Sequence, residues 1–248
     1  MKPGGRSDKI QRMRENDSRA IGAFFENKWP LYQRAIRSDV LCHGEMFAAL
    51  NHQLAERFGS NPFCFADFGC GDSSAVLDTL RDKPVEHYVG VDAAPDLIAA
   101  ASKTMEPLGC RKTLICRDMA TAIAELTFPV DVIFCSYSLH HLLLDQKAKF
   151  IQNCFHRLNT PGYFILIDGV LMEQETRDHW LQRLEGRFLE KVPDFTADDL
   201  GQIMKHPRES DHPETIATFR HLARQSPWRS FEVLVERDAF LAFMLFSK

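Results

Sequence analysis

No run of this sequence approaches the ~18 apolar residues needed to cross a bilayer, so no membrane association is expected. Cys-x-x-Cys and His-x-x-x-His pairs are both missing, so no compact metal site is expected; donors far apart in the chain could still meet. The seven cysteines are odd in number, and Cys64, Cys116 and Cys135 fall within hydrophobic runs, where cysteine acts as a small hydrophobe. The charged, glycine-containing start lacks the apolar core of a secretory leader. Together these absences lead us to expect a reducing, cytoplasmic setting rather than a disulfide framework. Excess positive charge is also missing: 30 Lys and Arg face 34 Asp and Glu, a net charge of -4. That balance argues against a chain whose main task is gripping a phosphate backbone. Internal repeats and low-complexity segments are absent too.

What remains is a chain of 248 residues, 45% of them hydrophobic, enough for one globular domain with additions. Residues 1–20 are dominated by charge and read as a solvated start, or as an arm that orders over a ligand. Met46, Phe47, Leu50, Leu54 and Phe58 fall at helical spacing and make one apolar face. The middle alternates strands near 63–68, 86–92, 112–117, 130–135 and 162–168 with helices near 73–81, 95–107, 119–125 and 144–158. Strands apolar on both faces, separated by helices, predict an α/β doubly wound, mostly parallel sheet covered on both sides. Residues 171–226 read as two amphipathic helices around a polar stretch with Pro207, Pro213, His206 and His212. The two apolar runs after Ser230 predict a closing antiparallel hairpin. The expected organisation is an N-terminal helical extension (1–58) and a core (59–248) carrying a helical lid at 171–226.

The chemistry concentrates at Phe63-Cys-Phe-Ala-Asp67-Phe-Gly69-Cys70-Gly71, a buried strand running into a glycine turn. Glycine frees the backbone to bend sharply and to approach a ligand closely. A second strand follows and ends at Val91-Asp92, where a carboxylate can accept both hydroxyls of a ribose. A nucleoside crevice at the carboxyl ends of parallel strands is the expected result. A dinucleotide fingerprint needs a third small residue of the Gly/Ala type, and Ser74 occupies that place. Asp67 at the strand end would repel a pyrophosphate and attract an ammonium group.

This pattern resembles the class I S-adenosylmethionine (SAM)-dependent methyltransferases, whose first motif reads acid-x-Gly-x-Gly-x-Gly. Asp67, Gly69 and Gly71 match it, and Ser73 departs from it. Segments 113–119, 130–142 and 158–168 are similar to the family's third, fourth and fifth strands and their exits. The resemblance covers roughly residues 60–170. It implies a Rossmann-like seven-stranded sheet, a SAM cofactor with S-adenosylhomocysteine (SAH) as product, and a small-molecule O or N acceptor. Carried over residue by residue, it places Asp67, Gly69, Cys70 and Gly71 at the methionine end and Asp92 and Ala93 at the ribose. Asp118 and Met119 fall beside adenine, and Ser136 and Tyr137 beside the methyl group. Tyr32 and Arg34 stand where a preceding helix could meet the cofactor's carboxylate. His140, His141 and Tyr137 are candidate catalytic groups, with His140 expected to have an ordinary imidazole pKa and His141 to point away. His206, Asp211, His212 and Asp168 are alternatives. Two other functions stay open: an RNA- or tRNA-modifying enzyme, for which Arg183, Arg187, Lys205, Arg208, Arg220 and Arg224 would supply basic surface, and a non-catalytic SAM-binding regulator.

Overall fold

The computed structural model describes Leu31 and residues 34–248. The charged arm of residues 1–20 and Tyr32 lie outside the described residues. The elements run α1 (His43–Phe58), β1 (Phe63–Phe68), α2 (Ser74–Leu80), β2 (Val85–Asp92), α3 (Pro95–Thr104), β3 (Arg111–Cys116), α4 (Met119–Glu125) and β4 (Val130–Ser136). They continue as a 3-10 turn (Leu139–His141), α5 (Leu144–Arg157), β5 (Leu158–Leu171), α6 (Arg177–Lys191), α7 (Ala197–Ser210), β6 (Glu214–Thr215), α8 (Ile216–Ala223), β7 (Ser230–Arg237) and β8 (Leu241–Ser247).

The sheet has the order β3-β2-β1-β4-β5-β8-β7, and the two-residue β6 pairs with the end of β5. Strands β1 to β5 are parallel, and β8 slots antiparallel between β5 and β7. Strand order reverses at β1, which pairs β2 on one side and β4 on the other. The two following connections therefore leave in opposite directions, which opens a crevice at the carboxyl ends of these strands.

Apolar residues on both sides of each strand feed two cores. Phe63, Phe65, Phe134, Ile165, Ile167 and Phe243 pack one face against α1, α2, α6 and α7. Phe68, Ile133, Cys135, Phe164, Leu166 and Phe246 pack the other against α4, α5 and α8. The expected helical face of α1 is real: Met46, Leu50 and Leu54 are buried. Where Gly169 lies on β5, an added Cβ would stand 2.8 Å from Trp180. Trp180 in turn stacks on Phe240 with ring centres 5.1 Å apart, which docks α6 on the sheet.

Two local expectations change. Residues 158–161 read as a turn, yet they belong to β5, because α5 stops at Arg157 and the chain extends at once. The stretch around Pro207 read as polar loop, yet α7 continues through Pro207 to Ser210. Proline removes one N–H and crowds the preceding turn. The Arg177 guanidinium gathers the Pro207, Arg208 and Asp211 carbonyls at that helix end, which satisfies acceptors the helix cannot. All seven cysteines are free thiols. No helix among the described residues is long and apolar enough to cross a membrane.

Candidate active site

The glycine turn is built as the crevice requires. Gly69 and Gly71 both have positive φ, +75° and +54°. A Cβ on Gly69 would lie 2.3 Å from Ser138 Oγ, so this glycine is needed by its protein neighbours as well as by its dihedral. A Cβ on Gly71 would meet no described atom within 4 Å, so the space beside it is open to a ligand. Ser73 stands at the place of the motif's third glycine and is itself left-handed, with φ +60°. Its buried Oγ lies 2.9 Å from Tyr88 Oη, a hydrogen bond that offsets part of the strain. Sequence reasoning missed this pairing, since Tyr88 reads there as plain strand filler.

Tyr88 also donates to Asp67 Oδ2 at 3.2 Å. Asp67 is buried at the end of β1, and its Oδ1 has no hydrogen-bond partner among the described residues. Burial, only partly offset by the Tyr88 hydrogen bond, pushes its carboxyl up to about 7. An incoming ammonium group would supply both the missing partner and the missing charge. Asp92 holds the turn from the next strand: Oδ2 accepts from the Gly71 N–H at 3.0 Å and Oδ1 from the Ala94 N–H at 2.9 Å. Each oxygen retains a lone pair for a ribose hydroxyl. Burial raises the Asp92 pKa against the lowering effect of these backbone bonds. Cys70 is buried between the two acids, and burial pushes its thiol well up. The Ala93 carbonyl accepts from Cys116 Sγ at 3.7 Å.

At the exit of β3, Asp118 is the N-cap of α4 and accepts from the Thr121 N–H at 3.1 Å. Met119 Cε reaches to 3.4 Å from where a Gly69 Cβ would stand, so Met119 does line the glycine turn. At the exit of β4, Ser138 Oγ donates to the Ser136 carbonyl at 3.0 Å. The Tyr137 hydroxyl donates to the Leu41 carbonyl at 2.8 Å, and its ring lies 4.5 Å from that of His43. Tyr137 thus ties the core to the segment before α1. Arg34 lies beside two carboxylates, one just before α7 and one on it. It donates to Asp194 at 3.0 Å and lies 3.6 Å from Asp199.

The two adjacent histidines behave differently from expectation. They sit in a tight 3-10 turn, and both rings converge rather than diverge, with centres 4.3 Å apart. His140 Nδ1 lies 2.5 Å from Asp168 Oδ1, while the His140 N–H donates to Asp168 Oδ2 at 2.9 Å. Asp168 is fully buried and takes the Gly169 N–H as well. Burial would lower the His140 pKa, but Asp168 and Asp211 outweigh it and raise it to about 9. The expected ordinary imidazole is therefore corrected: the carboxylates on either side of His140 hold its pKa above the ordinary value. Asp211, fully enclosed at the end of α7, is held below the usual carboxylate range. Burial opposes this, and His140 and His141 overcome it. His206 comes down to about 3, chiefly through burial and then through the neighbouring His141 ring. Lys147, buried on α5, donates to the His212 carbonyl and pairs with Glu214 at 3.1 Å. Its pKa is lowered by burial.

Residues 66–164 match the family model described as a methyltransferase domain. This match takes in 99 of the 248 residues and marks a likeness to that domain. Its boundaries take in the glycine turn, Asp92, the exits of β3 and β4, and most of the parallel sheet. Solved structures agree on the fold. The plantazolicin methyltransferase BpumL, in complex with a monoazolic desmethylPZN analog and SAH, is 14% identical with a TM-score of 0.67, covering 98% of each chain. BamL, in complex with a triazolic desmethylPZN analog and SAH, is 15% identical with a TM-score of 0.65, covering 97% of this chain and 98% of its own. Magnesium protoporphyrin IX methyltransferase from Synechocystis PCC 6803 is 14% identical with a TM-score of 0.64, covering 94% of this chain and 99% of its own. The likeness spans residues 171–226 as well as residues 66–164.

Proposed function

We propose that the protein is a SAM-dependent methyltransferase that transfers a methyl group to an O or N atom of a small-molecule acceptor by in-line displacement. The observation that carries this reading is the conjunction at the ends of β1 and β2. Gly71 opens onto free space, Asp67 Oδ1 has no hydrogen-bond partner among the described residues, and Asp92 grips the turn from the next strand. Asp67 suits the cofactor's ammonium group, Asp92 and Ala93 its ribose, and Asp118 and Met119 its adenine. When bound, SAM supplies a sulfonium-activated methyl group. The protein's own contribution is alignment of the nucleophile and exclusion of water. Both ring nitrogens of His140 face carboxylates: Nδ1 toward Asp168, and Nε2 toward Asp211 at 3.7 Å. That geometry favours acceptors that arrive with a lone pair ready, such as an amine or an acidic hydroxyl, over those that need a strong base.

The solved neighbours named above carry SAH, and their names point to azolic desmethylPZN analogs and to magnesium protoporphyrin IX, which supports a compact acceptor. Three of the six basic side chains that an RNA substrate would use are already in ion pairs. Arg183 meets Glu175, Arg187 meets Asp238, and Arg208 meets Glu185. The test is calorimetry with SAM, SAH and NAD, followed by a screen of methyl acceptors with tritiated SAM. SAM and SAH should bind and NAD should not. Asp92→Ala should lose about 1.5–3 kcal/mol of SAM binding per ribose hydrogen bond removed. Unchanged SAM affinity in Asp92→Ala, or tight NAD binding, rejects the reading.

A further inference from the structure

Two distant parts of the chain converge on a single carboxylate oxygen. His140 and His141 leave β4 in the 3-10 turn, His206 lies on α7, and Asp211 follows that helix. Asp211 Oδ1 is 3.2 Å from His141 Nδ1, 3.7 Å from His140 Nε2 and 3.8 Å from His206 Nε2. The donor atoms of His140, His141 and Asp211 all lie within 4.8 Å of one another. All of these side chains are largely buried. His141 Nδ1 and Asp211 Oδ1 are enclosed, yet neither has an aligned hydrogen bond among the described residues. Buried polar atoms left in that state are rare and call for an explanation.

We propose that His140, His141, His206 and Asp211 form a four-donor site for zinc or a similar divalent transition-metal ion, which staples the lid to the end of β4. A tetrahedral ion with bonds of about 2.0–2.1 Å sets its donors about 3.3–3.4 Å apart. The separations among His140, His141 and Asp211 reach that spacing with shifts of less than about an ångström per donor, and His206 Nε2 lies 3.8 Å from Asp211 Oδ1. Asp168 completes the arrangement. It holds His140 Nδ1 and thereby aims Nε2 at the centre, the carboxylate–histidine–metal relation that fixes the ring and its tautomer. Charge also closes: Asp168 and Asp211 balance a dication, while Lys147 is already matched by Glu214. Three imidazoles and one carboxylate leave no open coordination position, so the site is structural rather than catalytic. It also resolves the expectation of no compact metal motif, because the donors come together only in the folded chain.

The test is elemental analysis of chelator-stripped protein after zinc is returned, paired with the visible spectrum of the Co2+-loaded protein. One zinc per chain, a tetrahedral Co2+ spectrum and a rise in Tm on zinc addition are expected. His206→Ala and Asp211→Asn should each weaken zinc binding more than tenfold, and Asp168→Asn by about 10–100-fold. The exposed His52→Ala should bind as the wild type does. If a variant fails to fold, the stoichiometry and Co2+ spectrum of the wild-type protein still decide. Substoichiometric zinc in the wild type, an octahedral Co2+ spectrum, or unchanged affinity in a folded His206→Ala or Asp211→Asn overturns the proposal. None of these readouts requires methyl transfer, so they stand or fall apart from the proposed reaction.

Discussion

Two clusters sit at the carboxyl ends of the same sheet and are built on opposite principles. At the ends of β1 and β2, Asp67, Gly69, Gly71 and Asp92 come from neighbouring positions in the chain. They leave space beside Gly71 and an unmatched oxygen on Asp67. At the end of β4, His140, His141, Asp168, His206 and Asp211 come from three separate elements and fill their space with charge. The difference separates a place for a ligand from a joint between the parallel core and the helices that follow β5. A crevice must keep polar groups waiting, whereas a joint gains by matching them.

The largest effect should come from breaking the joint at its base. Asp168→Ala removes a buried carboxylate that takes two N–H groups and the His140 ring. The stranded imidazolium should cost about 3–5 kcal/mol, read by denaturant unfolding. A loss under about 1 kcal/mol would show that the joint carries little of the fold.

The crevice should register instead as a pH effect. The Asp67 carboxyl lies at about 7 in the folded protein, against an ordinary value near 3.8. Between those values the folded state holds a proton that the unfolded chain has lost. Stability should therefore fall as pH rises from about 4 through about 7, by roughly 3 kcal/mol or less. Asp67→Asn should flatten this fall, and saturating SAH should do the same by supplying a cation. An equally steep fall in Asp67→Asn would assign the effect elsewhere.

Smaller in stability is the contrast between the two glycines of the turn. Gly69→Ala meets Ser138 as well as backbone strain, and should cost about 2–3 kcal/mol. Gly71→Ala meets strain alone and should cost about 1–2 kcal/mol, while still lowering SAM affinity. Equal stability losses would mean that Ser138 moves aside freely.

The gentlest probe is hydrogen exchange across residues 197–215. The His212 N–H donates to the His140 carbonyl at 2.7 Å, and Arg177 holds the end of α7, so this segment should be protected in the zinc-loaded protein. Chelation should speed its exchange more than removal of SAH does. The reverse order would make the segment a cofactor-responsive lid, as its sequence alone suggests.

The parallel strands, the closing hairpin and the glycine turn were legible in the residues, because they rest on local signals. Apolar runs of strand length, glycines at fixed spacing and an acid one strand later act over a few dozen residues. Ser73 shows the limit of that reading. Its serine looks like a lapse in the motif, and only the Tyr88 hydroxyl across the next strand explains how a left-handed serine is held there. Arg34 and Tyr137 show the same limit, since their bonds to Asp194 and to the Leu41 carbonyl exist only in the folded chain. The histidines were further out of reach. Pattern marks His140 and His141 as neighbours that should diverge, and nothing local says that a 3-10 turn brings them together on Asp211. Sequence by itself determined where a nucleoside can be cradled, since that cradle is made of backbone bends that glycine permits. The raised pKa of His140 and the joining of α7 to the end of β4 were decided only by tertiary structure. Both depend on burial and on which distant carboxylates are enclosed with the ring, and neither is a property of any local run of residues.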